Sequence, residues 1–431
     1  MLYGLYSALG TVFHALLVVP APLLQRLKPE WRLDERFGRY TLAAAERRDA
    51  LIWIHAASVG EIQAARVLIN ALRSDGDSHG FFVTTMTAQG RAVARSLLPA
   101  DVRCELAPLD TNPAVARSLQ NVAPDLYICL ETELWPVMLT RLRRAGIPML
   151  LLNGRMSARS CRRYGKIRKT MAALLAGFAA VAVISEEDAV CYRMLGVADE
   201  KIRVCGNMKF APLQEHPNRA EEQYRRLLNA RGKTVFLCGS TRGGEEKLLL
   251  PVYKRLQEAC DGTLLWLIAP RHLERLDEIR AMLDKAGLRY DMLSRCRQGQ
   301  ARREKIVLVD TMGELAGLYT IGDLNFCGGS LVNKGGHNIM EPVLQGRPVY
   351  FGPHMDDFQD AVQLVLTAGA GFQVDDADKL AKRTLEHLHD SEVFSRARQA
   401  AARLARTRHE AVQCQLELVH AQLASGRAAK S

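Results

Sequence analysis

A chain of 431 residues exceeds what one hydrophobic core ordinarily organises, so two domains are expected. Hydrophobic content of 48% and charged content of 24% exclude a disordered chain. The net charge of +11 calls for an anionic partner, whether nucleic acid, an anionic membrane face or anionic substrates. Basic residues cluster at 141–144 and 155–169, where Tyr164 is the only aromatic, and no nucleic-acid-binding signature accompanies them. That favours the other two partners. The ten cysteines are scattered without a CxxC pair, which implies a reducing compartment with neither a disulfide framework nor a zinc site.

Residues 1–25 carry no formal charge, and Arg26, Lys28 and Arg32 follow at once. The segment is barely long enough to span a bilayer and holds His14, Pro20 and Pro22, so a span and a helix lying in the interface both remain open. The basic flank would keep the rest of the chain on the cytoplasmic side of an inner membrane. No positive region precedes the apolar run, which argues against a cleaved signal peptide.

From Ala50 the chain alternates apolar β-rich runs (51–54, 81–84, 104–106, 126–130, 149–152, 181–184) with helical patterns at 62–73, 88–97, 135–145 and 186–195. The alternation lapses over 207–218, through Pro212, Glu215, His216 and Pro217, which reads as a hinge. It resumes with runs at 235–238, 264–268, 306–309, 324–326 and 349–351 and helical partners at 245–259, 273–286, 357–368 and 377–388. Apolar strands alternating with helices mean parallel sheets covered on both faces. Two doubly wound α/β domains are therefore expected, 26–206 and 219–420. The second ends in one or two Arg-rich amphipathic helices over 391–420, and 421–431 is expected to fray.

Such sheets bind ligands at the carboxyl ends of their strands, so those ends are where chemistry is sought. His55-Ala-Ala-Ser-Val-Gly-Glu61 is strand, tight turn and helix, with Gly60 permitting the turn. Glu61 there either lowers the helix-dipole energy or accepts a proton from a hydroxyl. Leu130-Glu-Thr-Glu-Leu-Trp-Pro136 ends the next strand with Glu131 and Glu133 two apart. Asn153-Gly-Arg155 and Gly206-Asn-Met-Lys209 follow. In the second half, Gly239-Ser-Thr-Arg242, Ala269-Pro-Arg-His272 and Asp310-Thr-Met-Gly-Glu-Leu315 end successive strands with glycyl or basic groups. Gly328-Gly-Ser-Leu-Val-Asn-Lys-Gly-Gly-His-Asn-Ile-Met-Glu-Pro342 looks built to hold a phosphate and its sugar. Gly335 and Gly336 would let amides approach an anion, Asn338 would cap a helix, Lys334 adds charge, and Glu341 would meet ribose hydroxyls. The spacing is not that of a P-loop, which disfavours a nucleoside triphosphatase.

Taken together and in order, these motifs resemble the Kdo (3-deoxy-D-manno-octulosonic acid) transferases of lipopolysaccharide biosynthesis, from near the N-terminus to about Asp360. The resemblance implies the GT-B fold, two Rossmann-like domains facing across a cleft, the first binding the acceptor and the second the CMP-sugar. It implies CMP-Kdo as donor, lipid A precursor (lipid IVA) as acceptor and inversion at the anomeric carbon, with no cofactor and no metal. It assigns Glu61 as catalytic base, and Glu131 and Lys209 as helpers in the transition state. Pro270, Arg271, Met312, Gly313, Glu314, Asn338, Ile339, Met340 and Glu341 become CMP contacts. The expected partners are the two substrates and the anionic inner-membrane surface, not nucleic acid. Two other classes compete: a nucleotide-sugar epimerase of like architecture, which needs no apolar anchor, and a basic membrane-surface scaffold, which leaves the glycine loops unexplained.

Overall fold

The computed structural model describes residues 2–41, 50–74, 76, 78–209 and 217–428. Runs of Val, Ile, Leu and Phe long enough for a strand and too short for a helix become the strands of two sheets. The first contains β1 (Leu51–His55), β2 (Gly80–Thr85), β3 (Arg103–Leu106), β4 (Leu126–Leu130), β5 (Met149–Gly154), β6 (Ala180–Val183) and β7 (Ile202–Val204), in the order β3-β2-β1-β4-β5-β6-β7. The second contains β8 (Thr234–Thr241), β9 (Leu264–Pro270), β10 (Asp291–Met292), β11 (Ile306–Leu308), β12 (Leu324–Cys327), β13 (Val349–Phe351) and β14 (Gly371–Gln373), in the order β10-β11-β9-β8-β12-β13-β14. Neighbouring strands pair in parallel throughout both sheets. This is the GT-B-like two-domain α/β plan. The edge strands β7, β10 and β14 were not anticipated from the sequence. Each is two or three residues long and partly exposed, so it carries little apolar signal.

Although the strands are apolar on both faces, the pleat still sorts them into two cores. In the first sheet Ile52, Ile54, Val83 and Ile128 face one helical layer. Leu51, Trp53, Phe82 and Tyr127 face the other. In the second, Phe236, Cys238, Trp266 and Ile268 lie opposite Val235, Leu237, Leu265 and Leu267. Cys129, Cys238 and Cys327 are buried in these layers, as small hydrophobes are.

The chain divides into two compact units, Met1–Leu213 with Arg408–Ser431, and Gln214–Thr407. Residues 210–216 of the expected hinge lie outside the described residues. Two expectations about the tail need correction. The tail is one helix, Ser391–Ala428, within the one or two expected, and it continues through most of the segment expected to fray. Its last part also belongs with the first unit, not the second. The cause is a stripe at helical spacing, Val412, Leu416, Val419 and Leu423, buried in the same core as Ile52 and Ile54. A disulfide between Cys205 and Cys414 joins this helix to the end of β7, correcting the expectation of no disulfide. At a sequence separation of 209, no spacing pattern signals the pair.

At the N-terminus, Leu2–Val18 and Ala21–Leu27 are helices bent by 66° at the break that Pro20 marks. Among the described residues no single helix is long and apolar enough to cross a membrane, though this bent pair meets the test jointly. Leu5, Leu9, Val12, Phe13 and Leu16 are exposed. On the inner side His14 bonds Thr111 at 2.9 Å and lies edge-on to Phe37.

A buried ion network closes the rim of the first sheet. Arg91 reaches Glu105 at 2.6 Å and Glu35 at 3.1 Å, and Glu35 accepts the Leu106 amide at 2.7 Å. Replacing Arg91 by Ala removes one of two cations from each buried carboxylate, leaving Glu105 with Arg103 at 2.8 Å and Glu35 with Arg32 at 2.6 Å, so urea unfolding of the first unit should lose roughly 1–3 kcal/mol. A loss under about 0.5 kcal/mol would mean that Arg103 and Arg32 suffice without it.

Candidate active site

In a doubly wound sheet the ligand crevice lies where strand order reverses. In the first sheet that point falls between β1 and β4, and in the second between β8 and β12. The loops after these four strands hold Glu61, Glu131, Arg242 and the glycine loop 328–342, while Lys209, Arg271 and residues 312–314 follow β7, β9 and β11.

After β1 the chain enters the helix Val59–Ser74, in which Glu61 is the third residue. Its carboxylate folds back on its own loop, Oε2 accepting the Ala57 amide at 2.8 Å and Oε1 the Ser58 hydroxyl at 2.8 Å. Ser58 Oγ in turn accepts the Glu61 amide at 3.3 Å, so the two residues cap the helix reciprocally. Glu61 is only 5% exposed. Burial pushes its carboxyl up to about 7, against the pull of the Ser58 and Ala57 hydrogen bonds and with added push from Glu131 and Glu133. Of the two uses left open by the sequence, the capping use is present in this carboxylate.

At the end of β4, the Glu131 amide still donates to Leu152 O at 2.9 Å as a strand residue would. Its φ is +56°, however, a left-handed conformation that costs energy without glycine. The turn delivers its carboxylate to Lys209, with Nζ and Oε1 2.5 Å apart. Lys209 lies across Gly60, where a Cβ would come within 2.9 Å of Nζ. Gly60 therefore clears room for the lysine, a correction to its reading as a turn residue. At the end of β5, Asn153 is also left-handed, and its Oδ1 accepts the Met208 amide at 2.9 Å. The structure thus brings Glu61, Glu131 and Lys209 into one neighbourhood of the first unit. Glu133 is half-buried beside them, its carboxyl pushed up by burial and then by Glu131.

In the second unit the organising group is Glu245, which the sequence reading passed over. It opens the helix Glu245–Ala259 after β8 and is fully buried. It accepts the amides of Arg242 at 2.9 Å, Gly329 at 2.6 Å, Ser330 at 3.1 Å and Leu331 at 3.0 Å. The loops after β8 and β12 are knitted together by one side chain. Gly328 makes this possible, since a Cβ there would meet Ser240 O at 2.4 Å.

Above that support stands a cationic cluster from three strand ends. Arg242 donates through Nε to His337 Nε2 at 3.0 Å, and its Nη1 lies 2.6 Å from His272 Nε2. Burial, followed by Arg242, Arg271 and His272, pushes His337 down to about 4, which keeps it neutral and able to accept. Arg271 is exposed beside them, its amide bonded to Thr241 O at 3.1 Å. Arg242 and His272 end different strands in the sequence, and their convergence with His337 is visible only in three dimensions.

The glycine loop departs from expectation in two respects. The Gly336 amide donates to Gly329 O at 3.0 Å, and a Cβ at Gly336 would strike Met355 Sδ at 2.4 Å, so this glycine serves packing. The helix that follows, Met340–Leu344, has only five residues, with Asn338 Oδ1 accepting the Met340 amide at 3.1 Å. Its dipole is correspondingly small, and the arginines supply the local positive charge. Ile339 and Met340 are fully buried, so they offer backbone rather than side chain, while Glu341 sits in the first turn, half-buried. Pro270 ends β9. Met312 is 68% exposed, Gly313 is left-handed, and the Glu314 carboxylate is taken by Arg297 at 2.5 Å and by the Tyr224 hydroxyl.

Among the described residues no group of three or more His, Cys, Asp or Glu is arranged to hold a metal ion. In the triplet Asp376-Ala377-Asp378, Asp376 caps a helix through the Lys379 amide and Asp378 pairs with Arg255 at 3.0 Å.

A family model described as 3-deoxy-D-manno-octulosonic-acid transferase (Kdo transferase) matches residues 31–212. A 3-deoxy-D-manno-octulosonic acid transferase of Haemophilus influenzae is 31% identical over 393 residues, covering 90% of each chain. The chain belongs to the Kdo transferase family. It is accordingly a glycosyltransferase acting in Kdo transfer for the lipopolysaccharide core. The Kdo transferase of Bordetella pertussis is 34% identical over 82% of this chain and 83% of its own. A bifunctional glycosyltransferase/methyltransferase of Fusobacterium nucleatum is 33% identical over 79% of this chain, which spans 53% of that longer relative. Among solved structures, the C-terminal CMP-Kdo binding domain of WaaA from Acinetobacter baumannii is 28% identical. It covers 43% of this chain and 96% of its own at a TM-score of 0.40.

For this Kdo transferase, Glu245→Ala removes the acceptor of four loop amides. Affinity for CMP, measured by titration calorimetry, should fall about tenfold or more. Unchanged affinity would show that the β8 and β12 loops keep their shape without it.

Proposed function

We propose that this enzyme transfers Kdo from CMP-Kdo to the lipid A precursor lipid IVA, with Glu61 as the general base. A glucosamine hydroxyl oxygen attacks the anomeric carbon of Kdo as its proton passes to Glu61. The bond from that carbon to the phosphate oxygen breaks on the opposite face, and CMP leaves with the electron pair. One bond forms and one breaks in line, so configuration inverts. The observation that carries this reading is a carboxyl held near pH 7 beside the Glu131–Lys209 pair. A base whose pKa matches the working pH combines the correct protonation state with enough driving force for proton transfer.

The supporting groups have distinct tasks. Glu131 holds Lys209, and its charge also keeps Glu61 basic. Lys209 offsets the Kdo carboxylate, which sits on the reacting carbon. Arg242, Arg271 and His272 meet the charge that develops on the departing phosphate, a preorganised electrostatic role that supports transfer without a metal ion. Pro270, Met312, Gly313, Glu314, Asn338, Ile339 and Met340 line the cytidylate mainly through backbone, and Glu341 meets its ribose. The first unit takes the acceptor and the second the CMP-sugar. The exposed apolar face of the N-terminal helices, flanked by Arg26, Lys28 and Arg32, supports residence on the cytoplasmic side of the inner membrane.

Incubation with CMP-Kdo and lipid IVA, followed by mass spectrometry, tests the reaction directly, since the acceptor gains mass in Kdo increments. An epimerase would leave the acceptor unchanged. Glu61→Ala should lower kcat by roughly 100- to 10,000-fold while CMP-Kdo binding persists, and normal turnover by that variant would remove Glu61 from the mechanism.

The base must be ionised to act, so kcat/KM should rise with pH through a limb near 7. The Ser58 hydroxyl stabilises the charged form, so Ser58→Ala disfavours ionisation and should move that limb to higher pH. A limb that stays in place would assign it to another group. For the membrane, Leu9→Glu with Phe13→Glu should reduce co-flotation with anionic phospholipid vesicles, and full retention would count against the helix as the contact.

A further inference from the structure

Gln415 is a polar side chain with no exposure, set in an otherwise apolar stripe of the C-terminal helix. Burying an amide there is costly unless both its ends find partners. They do. Oε1 accepts the Asn153 amide at 2.9 Å, and Nε2 donates to Gly206 O at 3.3 Å. Two turns earlier on the helix, Arg408 donates through Nη1 to Asn207 O at 2.6 Å. Asn153 Oδ1 accepts the Met208 amide, and Asn207 Oδ1 accepts the Lys209 amide at 2.8 Å. The Cys205–Cys414 bond fastens the beginning of the same loop.

The segment Gly206-Asn-Met-Lys209 is neither helix nor strand, so nothing in its own backbone pattern sets its shape. Each of its four residues is instead fixed by a named bond, and two of the four bonds come from the C-terminal helix directly. A third, to Met208, comes from Asn153, whose own amide Gln415 receives. The loop delivers Lys209 Nζ to Glu131 at 2.5 Å, across Gly60, where a Cβ would come within 2.9 Å of that nitrogen. A lysine placed at such short range depends on a loop with little freedom.

We infer that Gln415 is a positioning residue for the transfer reaction, holding the Gly206–Lys209 loop so that Lys209 meets Glu131. The inference rests on the reading of Lys209 as part of the reacting site. Two readouts separate the one from the other.

The first is independent of catalysis. In the full-length protein, acetylation of Lys209 by acetic anhydride is followed by peptide mass spectrometry. The ion pair protects this lysine, so Gln415→Met, which keeps the shape and removes both bonds, should speed its labelling about tenfold. The second is kinetic. Gln415→Met should lower kcat roughly ten- to a hundredfold while the KM for CMP-Kdo stays within about twofold. Added to Lys209→Ala, the same change should cost nothing further, because its effect runs through the lysine.

Unchanged labelling of Lys209 overturns the inference, as does an equal loss of kcat in the presence and absence of the lysine. If labelling accelerates while Lys209→Ala itself turns over normally, the positioning stands and the catalytic reading of Lys209 falls. Should Gln415→Met fold poorly, Arg408→Met removes the neighbouring bond to Asn207 and is expected to give the same pattern. Wild-type labelling in that variant counts against the inference equally.

Discussion

A carboxylate in the opening turn of the helix that follows the first strand of each unit organises everything around it. After β1 it is Glu61, and after β8 it is Glu245. Both are buried and both bind backbone amides of their own turn. The difference lies in how fully they are used. Glu245 accepts four amides from two loops, so it serves as a fixed strut. Glu61 accepts one amide and one hydroxyl. Desolvation raises both carboxyls above the usual range, Glu245 against its four amides and Glu61, with fewer bonds and the added push of Glu131 and Glu133, up to about 7. The same local device yields a strut in one unit and the proposed base in the other.

Backbone strain follows the same logic. Glu131, Asn153 and Ser240 are left-handed without being glycine, and all three stand at or just beyond the carboxyl end of a strand. Each such residue costs of order 1 kcal/mol or more and persists only where its surroundings over-determine it. For Glu131 the determinants are the Leu152 carbonyl and Lys209. Asn153 is held by Gln415 and Met208. Ser240 sits in the register shift between Gly239 and Thr241, with Gly328 packed against its carbonyl. Strain is stored where the loops must leave the sheet at an angle that regular strand geometry does not provide.

The interior strands could be read from the sequence because two-sided burial demands unbroken apolar runs, and Leu126 to Leu130 or Leu264 to Ile268 has no other use. The edge strands could not, since β7 needs only one neighbour and tolerates an exposed Val204. At the site, strand-end motifs pointed to Glu61, Glu131 and Lys209, while the bonds joining them stayed hidden. A glycine read as a turn residue turned out to be clearance for a lysine 149 positions later in the chain, and Gln415 looked like one more polar residue on an Arg-rich helix. Local pattern reports which face a residue occupies, whereas partners hundreds of residues apart are set by tertiary packing. Asn338 shows the converse error: its capping chemistry was read correctly, but the helix after it is too short for the dipole inferred from it.

The N-terminal helix is tied to the same region by a short chain of contacts. Ser7 Oγ accepts from Asn112 and His14 bonds Thr111 at 2.9 Å, next to Asp110, whose oxygens accept the amides of Val137 at 3.0 Å and Met138 at 2.8 Å. Those amides open the helix Pro136–Arg144, which begins where the Glu131–Trp135 loop ends. Asp110 thus supplies from outside the cap that Trp135 cannot give, and the anchor of that cap is the helix whose other face is apolar and exposed. An outward-facing apolar helix attached only by a flexible linker would leave the carboxyl ends of β1 and β4 indifferent to its orientation. Bonded through His14 to Thr111 and through Ser7 to Asn112, it has a fixed direction relative to the helix that follows β4, whose first amides Asp110 caps.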